Sequence, residues 1–316
     1  MNLKTSAPSN IHTDTFEIAV LLASCNGIRF IESQMQSIIA QQNVSITLFI
    51  SDDMSVDGTW EYLQTIKSEQ VILLPRKNKF GTPARNFFRL LRDVDFSEFD
   101  YVAFCDQDDI WLPDKFLNAI RNIRQRNVDA FSSNVESFWP DGKSCIIHKN
   151  QPLCEWDYLF ESGGPGCTYV LSKRLALEIQ KVLRSHDAFT DNIALHDWFV
   201  YCYARSHGYS WWIDCYPSVR YRQHDGNAFG SNSSFRSAYA RWKMMRNGWY
   251  RDQVLHIANV CGFVNAWPIR RLLRYSWLDR FILAGSVHRF RRRWFDRLAL
   301  SLMFLVIHGR ASNDSE

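Results

Sequence analysis

The chain contains no CxxC pair. Its eight cysteines, at positions 25, 105, 145, 154, 167, 202, 215 and 261, fall at irregular spacings. This argues against a thiolate zinc site and a disulfide framework, and the expectation is reduced thiols in a cytoplasmic protein. The opening stretch MNLKTSAPSNIHTDTFE has no basic segment followed by an apolar one, so no secretory signal is expected. Neither GxGxxG nor GxxxxGK(S/T) follows the first apolar run, which removes the usual glycine cradles for dinucleotides and triphosphates. Near the C-terminus the continuous apolar run reaches only from Leu298 to Ile307, whereas a bilayer-spanning helix takes roughly 20 residues.

What is present suits a globular chain of 316 residues, with 46% hydrophobic and 22% charged side chains. That length accommodates one large α/β domain, or a domain with an appendage. Aromatic content is high, at 15% with 12 Trp. Such a surplus serves surfaces for sugars, partners or a membrane interface, or else a large aromatic core. The net charge of +4 hides an uneven distribution. Residues 236–310 hold fifteen Lys/Arg against three Asp, whereas residues 1–235 hold twenty-two basic and twenty-eight acidic side chains. The two parts therefore face different partners.

Along the chain, FEIAVLLASCNG reads as a buried strand entering a loop, and RFIESQMQSIIAQQ spaces its apolar residues as a helix. ITLFISDD, SVDGTWEYLQTIKSE, VILLPR, TPARNFFRLLRDV and FDYVAFCDQDD continue as strand, helix, strand, helix, strand. This alternation predicts a mostly parallel, Rossmann-like sheet with helices on both faces. Ligands of such sheets bind beyond the carboxyl ends of the strands. Ser24-Cys25-Asn26, Asp52-Asp53 and Asp106-Gln107-Asp108-Asp109 all fall at those ends. Further on, DAFSSNVESFWPDGKSCIIH suggests a strand pair turned at Pro140-Asp141-Gly142. The glycine-rich ESGGPGCTYVLS leads to a helix from about Lys173 to Arg184, and HDWFVYCYARSHG forms another with His196 and Asp197 in its first turn.

The run FCDQDDIWLPDK is the most informative. Carboxylates this close repel one another and are costly to desolvate unless something positive sits among them. It is either a solvated loop or a surround for a cation. With no glycine cradle, a phosphorylated ligand would be held through a metal or through cations such as Arg85.

These ordered clusters resemble the inverting family 2 glycosyltransferases of GT-A fold, in particular their rhamnosyltransferase-like branch of bacterial surface-polysaccharide synthesis. The matching stretches are LLASCNGIRFIESQMQSI, ISDDMSVDGT, FGTPARNF, FCDQDDIWLPDK, GGPGCTYVLSK, HDWFVY and YRQHDGN, in the family's order from residue 18 to 230. The resemblance implies a nucleotide-sugar donor, dTDP-rhamnose foremost, a glycan or lipid-linked acceptor, and Mg²⁺ or Mn²⁺. It implies that Asp106 and Asp108 form the DxD element at the metal, with His224 as a further ligand or diphosphate contact. Ser24, Cys25, Asn26, Asp52, Asp53, Arg85, Asp106 and Gln107 would contact the donor. Gly163, Gly164, Gly166 and Trp198 would line the acceptor side, and Asp197 would be the catalytic base. Two positions depart from the pattern: Cys25 stands where relatives usually carry an aromatic residue, and His196-Asp197 where many carry Glu-Asp.

The expected organisation is a GT-A domain over residues 1–235 and a basic, aromatic-rich helical extension over 236–316. A basic segment with interleaved Trp and Phe that is too short to span can lie in a membrane interface. It can also hold nucleic-acid phosphates. The expectation is the membrane, with no nucleic-acid partner and a peripheral place at the inner face of the cell membrane. The alternatives are a transferase using UDP-glucose, UDP-galactose or a similar donor, and a non-catalytic nucleotide-sugar-binding protein on the same scaffold. The intact Asp106, Asp108 and Asp197 argue against the second.

Overall fold

Apolar runs of five or six residues cannot be satisfied at a surface, and in this chain they become the centre of a sheet. The computed structural model describes residues 15–185, 191–224 and 247–306. Asp225 to Asn227 and the beginning and end of the basic segment lie outside the described residues.

Strands β1 (Phe16–Ser24), β2 (Val44–Asp52), β3 (Val71–Leu73) and β4 (Tyr101–Asp106) alternate with helices α1 (Ile31–Ile39), α2 (Thr59–Thr65) and α3 (Pro83–Asp93). After a two-residue strand β5 (Ile110–Trp111) come α4 (Lys115–Arg126), β6 (Ala130–Ser133), β7 (Val135–Phe138) and β8 (Ser144–Ile147). Next are α5 (Asp157–Phe160), β9 (Val170–Ser172), α6 (Lys173–Ser185), α7 (His196–Ser206), β10 (Trp211–Asp214) and β11 (Val219–Arg222). The seven-stranded sheet runs β10-β6-β9-β4-β1-β2-β3. Its pairs are parallel except where β9 lies antiparallel to β4 and β6. The strand pair expected around Pro140 forms as the antiparallel β7–β8 hairpin within a second sheet, β5-β11-β7-β8.

Alternation along β1 sends Ile18, Val20 and Leu22 to one face, against α1 and α4, and Ala19 and Leu21 to the other, against α3, α6 and α7. The two-sided core explains why the strand reads as an unbroken apolar run. Helices α8 (Trp249–Val260), α9 (Trp267–Arg274), α10 (Trp277–Gly285) and α11 (Trp294–Val306) follow. They insert Tyr250, Val254, Ile257, Leu272, Leu283 and Phe304 into the α3/α6/α7 core. Each fully buried side chain of this size contributes about 1.5–3 kcal/mol, so these helices are held firmly to the sheet domain. None of the described helices is long and apolar enough to cross a membrane.

Candidate active site

Register brings the polar clusters together. Ser24 at the end of β1 pairs with Asp52 at the end of β2, and Ala23 pairs with Asp106 at the end of β4. The three strands thus deliver their polar ends to one crevice, as an open parallel sheet requires.

Much of the polar content there is spent on shaping the crevice. The Gln107 amide oxygen accepts from the Cys25 amide at 2.9 Å and the Ser24 hydroxyl at 3.1 Å, while its nitrogen donates to the Cys25 carbonyl at 2.9 Å. Gln107 therefore locks the loop after β1. Asn26, with φ of 51°, accepts from the Val56 amide and donates its own amide to the Ser55 hydroxyl. Asp52 is buried, paired with the Arg76 guanidinium at 2.6 Å and hydrogen-bonded by the Ser55 amide and hydroxyl. Asp53, also buried, accepts from the Phe80 and Gly81 amides and so fixes the loop before α3. Arg85, in the first turn of α3, is exposed and donates to the Asp191 carbonyl at 2.9 and 3.1 Å. It ties that loop to the segment leading into α7. Cys25 is an exposed residue whose thiol is partly covered, 3.7 Å from the Asp53 carbonyl, and that partial desolvation with the charges of Asp53 and Asp52 raises its pKa.

The acidic run turns inward. Burial, reinforced by the charges of Asp108 and Asp197, raises the Asp106 carboxyl to about 7. Asp109 is fully buried and likewise pushed up by burial, then by Asp108 and Asp106. One of its oxygens accepts the Arg222 amide at 3.1 Å, and the other has no partner. Ligand atoms of Asp106, Asp109 and Cys167 lie within 4.8 Å of one another. Asp108 meets His224 Nε2 at 2.8 Å, and the His224 ring packs on Phe30 at 4.8 Å. Clustered carboxylates with raised pKa and an unpartnered oxygen fit a divalent cation, which would return each to its charged form. Burial holds the Cys167 thiol well above its ordinary range, and a protonated thiol is a poor ligand for a hard ion. The donor set that suits such an ion is carboxylate oxygen with imidazole.

Asp197 stands in the first turn of α7. Burial raises its carboxyl to about 6, opposed by the hydrogen bond from the Trp198 amide, by the nearby Ser162 hydroxyl, which itself donates to the Gly164 carbonyl at 3.0 Å, and by the Lys149 ammonium. Asp106 feels the charge of Asp197, so the two carboxylates lie near one another. His196 stacks on Phe87 with ring centroids 3.9 Å apart, and burial lowers it to about 3, so it is neutral at physiological pH.

The glycine loop differs from expectation in what fills its missing side chains. A Cβ at Gly166 would lie 2.8 Å from His196 Nε2 and 3.2 Å from the Asp197 Cβ, so the loop packs directly on the first turn of α7. A Cβ at Gly163 would meet Tyr201 at 2.8 Å, and Gly164 adopts φ of +129°. The space is occupied by the protein's own aromatic rings. Trp198 also departs from expectation: it is 3% exposed, donates to the Tyr158 carbonyl and stacks on Tyr250 of α8. Its indole belongs to the core.

Several functional neighbours carry no sequence signal. Lys149, just past β8, lends a positive field at Asp197. The 157–162 stretch that supplies Ser162 is held by Arg292, buried at 5% exposure. Arg292 donates to the Ser162 carbonyl at 2.7 Å and pairs with Asp157 and Glu161 at 3.4 Å. It sits in a row of three arginines that look alike in sequence.

The arrangement offers a carboxylate poised to accept a proton and a second carboxylate group suited to a cation. Comparison with known proteins gives it a lineage. The model of glycosyl transferase family 2 matches residues 19–166, covering the three strand ends and the glycine loop. The chain is 41% identical over 291 residues to the dTDP-rhamnosyl transferase RfbG of Shigella flexneri, spanning 90% of this chain and 99% of that protein. It is 28% identical over 120 residues to the Escherichia coli UDP-Glc:alpha-D-GlcNAc-diphosphoundecaprenol beta-1,3-glucosyltransferase WfaP, spanning 37% of this chain and 45% of that one. Among solved structures, S. aureus TarS 1–349 in complex with UDP-GlcNAc matches with a TM-score of 0.51 at 13% identity, covering 87% of this chain and 82% of that one. That last likeness shows the GT-A fold, and the near full-length identity shows the lineage: the chain belongs to glycosyl transferase family 2.

Proposed function

We propose that this glycosyltransferase moves L-rhamnose from dTDP-rhamnose, with inversion at the anomeric carbon, onto a lipid-linked glycan of a bacterial surface polysaccharide. The observation that carries the reading is Asp197 in the first turn of α7, raised to about 6 and near enough to Asp106 to be felt by it. At neutral pH it is ionised yet desolvated, which suits a general base. The acceptor hydroxyl gives its proton to Asp197 as its oxygen attacks the anomeric carbon. The bond from that carbon to the diphosphate breaks, and its electrons leave with dTDP. Mg²⁺ or Mn²⁺ would be held by Asp106 with the Asp108–His224 pair or with the Asp109 oxygen that lies closer to it, and would neutralise charge on the departing diphosphate. Gln107 and Asp53 keep the donor side in shape, the Trp198 amide orients Asp197, and the Lys149 charge favours its ionised form.

The choice of rhamnose rests on the long alignment with a dTDP-rhamnosyl transferase. A lipid-linked acceptor is supported by the diphosphoundecaprenol substrate of WfaP and by the basic, Trp-rich C-terminal helices. These also favour a peripheral position at the inner face of the cell membrane. The test is a donor screen with the full chain: dTDP-rhamnose and the common UDP, GDP and dTDP hexoses, each with and without Mn²⁺ or Mg²⁺, followed by nucleoside diphosphate release. Metal-dependent turnover of dTDP-rhamnose alone is expected. Turnover of a UDP-hexose in its place would transfer the assignment to that sugar.

A further inference from the structure

Helices α10 and α11 pack antiparallel. Arg280 Nε donates to the Phe304 carbonyl at 2.9 Å, and the Ser301 hydroxyl donates to the Ala284 carbonyl at 3.1 Å. Each helix turns one side to the core, through Leu283 and Ala284 on α10 and Leu300, Met303 and Phe304 on α11. The opposite sides are apolar as well. Trp277 is 71% exposed and is joined on α10 by Leu278 and Phe281. On α11, Trp294 is 58% exposed and is followed by Phe295, Leu298, Leu302 and Val306. An ordinary soluble surface scatters such side chains singly, and a contiguous patch marks an interaction site.

We infer that this two-helix face docks on an anionic lipid bilayer, beside the acceptor side of the active site. Three observations favour lipid over a protein partner. First, residues 249–306 hold ten arginines against three aspartates, a charge that suits acidic headgroups and opposes a second copy of the same face. Among the described residues Arg293, next to Trp294, and the exposed Arg270 form no ion pair, so they are available to headgroups. Second, tryptophans stand at the start of both helices, and Trp is the residue enriched at membrane interfaces. Third, the exposed apolar side chains line two adjacent helices whose other sides are packed into the core, an arrangement that suits elements lying in the interface plane with one apolar side buried in lipid.

The position gives the face its use. Arg292 is buried against the 157–162 stretch, whose Ser162 lies close to Asp197, and Trp294, two residues later, is exposed on the docking face. Membrane contact at Trp294 would hold that stretch near the lipid surface, where the lipid-linked acceptor of the proposed function is anchored; this part of the inference rests on that reading.

The test is vesicle flotation of the full chain with phosphatidylcholine alone and with phosphatidylcholine containing phosphatidylglycerol. The wild type should float with the anionic vesicles and bind less well as salt increases. Phe281→Asp combined with Leu302→Asp should lower the bound fraction about tenfold or more, since two apolar side chains leave the lipid and two acidic ones oppose it. Trp277→Ser combined with Trp294→Ser should act in the same direction without adding charge. All four positions are exposed, so thermal unfolding and turnover with a short, water-soluble acceptor should stay at the wild-type level. The inference is overturned if the wild type stays at the bottom with both vesicle types, if the variants float as well as it does, or if the wild type is a dimer that these substitutions split. Flotation without transfer from any donor would sink the functional reading and leave the docking surface standing.

Discussion

Replacing Asp197 with Asn isolates the proton-accepting role, because the amide oxygen can still accept the Trp198 N–H at nearly unchanged volume. The wild-type carboxyl titrates at about 6, so at pH 7.5 roughly 97% is ionised and the base is almost fully available. Loss of a positioned general base typically lowers turnover by about 10²–10⁴, or about 3–5 kcal/mol of transition-state stabilisation. The sign of the pH dependence follows from the raised value. Wild-type kcat/KM should rise about tenfold per pH unit up to about 6 and then level off, and Asp197→Asn should lack that limb. Asp106 introduces a second titration, at about 7 in the absence of a cation, and a bound divalent ion favours its carboxylate and moves it down. At saturating Mn²⁺ or Mg²⁺ only the Asp197 limb should remain, while at limiting metal a further loss should appear below about 7. The assay is dTDP release across pH at several metal concentrations, with donor binding followed separately by calorimetry. Unchanged donor affinity with a turnover loss of 10² or more is expected. Turnover of Asp197→Asn within threefold of wild type, or an unchanged acid limb in the variant, would refute the assignment.

Two further perturbations probe the support of the base. Gly166→Ala places a methyl 2.8 Å from His196 Nε2. It should cost about 1–3 kcal/mol of stability and at least tenfold in turnover, and an alanine variant equal to wild type in both melting and turnover would show that the loop does not bear on α7. Arg292→Met leaves Asp157 with Arg205 and Glu161 with the more distant Arg291. Removing one member of a buried charged group costs about 3–5 kcal/mol, so the melting temperature should fall by about 5 °C or more in calorimetry. A shift below about 1 °C would mean that the network is held without Arg292.

How much of this was legible beforehand depends on the range of the interaction. Strands β1, β2 and β4 and helices α1, α3 and α7 announce themselves through local periodicity, and the carboxylates at strand ends follow from chain order alone. Strand β9 did not: three residues after a glycine-rich loop give no sign that they will enter the sheet antiparallel between β4 and β6. The same limit applies in the site. The resemblance implies donor contacts at Asp52 and Asp53, and in the fold their oxygens hold Arg76, Ser55, Phe80 and Gly81, partners that only the folded chain brings near. The tryptophan surplus resolves both ways. Trp111, Trp198 and Trp211 are core, whereas Trp277 and Trp294 are exposed. Composition counts them together, and only burial separates those that build the fold from those available to a partner.

The link between the basic helices and the site was the least visible feature, and its physics explains why. Arg292 lies 130 residues from Ser162, and nothing in a row of three arginines tells which one will be buried. The neighbouring side chains divide the work: Arg292 turns inward to Asp157 and Glu161, Arg291 meets Tyr250 and Glu161, and Arg293, beside the exposed Trp294, forms no ion pair among the described residues. A buried guanidinium persists only where several acceptors surround it, and these acceptors belong to the 157–162 stretch close to Asp197. The C-terminal helices therefore buttress the surroundings of the proposed base as well as forming the candidate membrane contact. A chain shortened before Trp249 would lose the Arg292 support of the Ser162 loop together with the apolar face, so truncation cannot separate the two roles. Surface substitutions on α10 and α11, set against Arg292→Met, can.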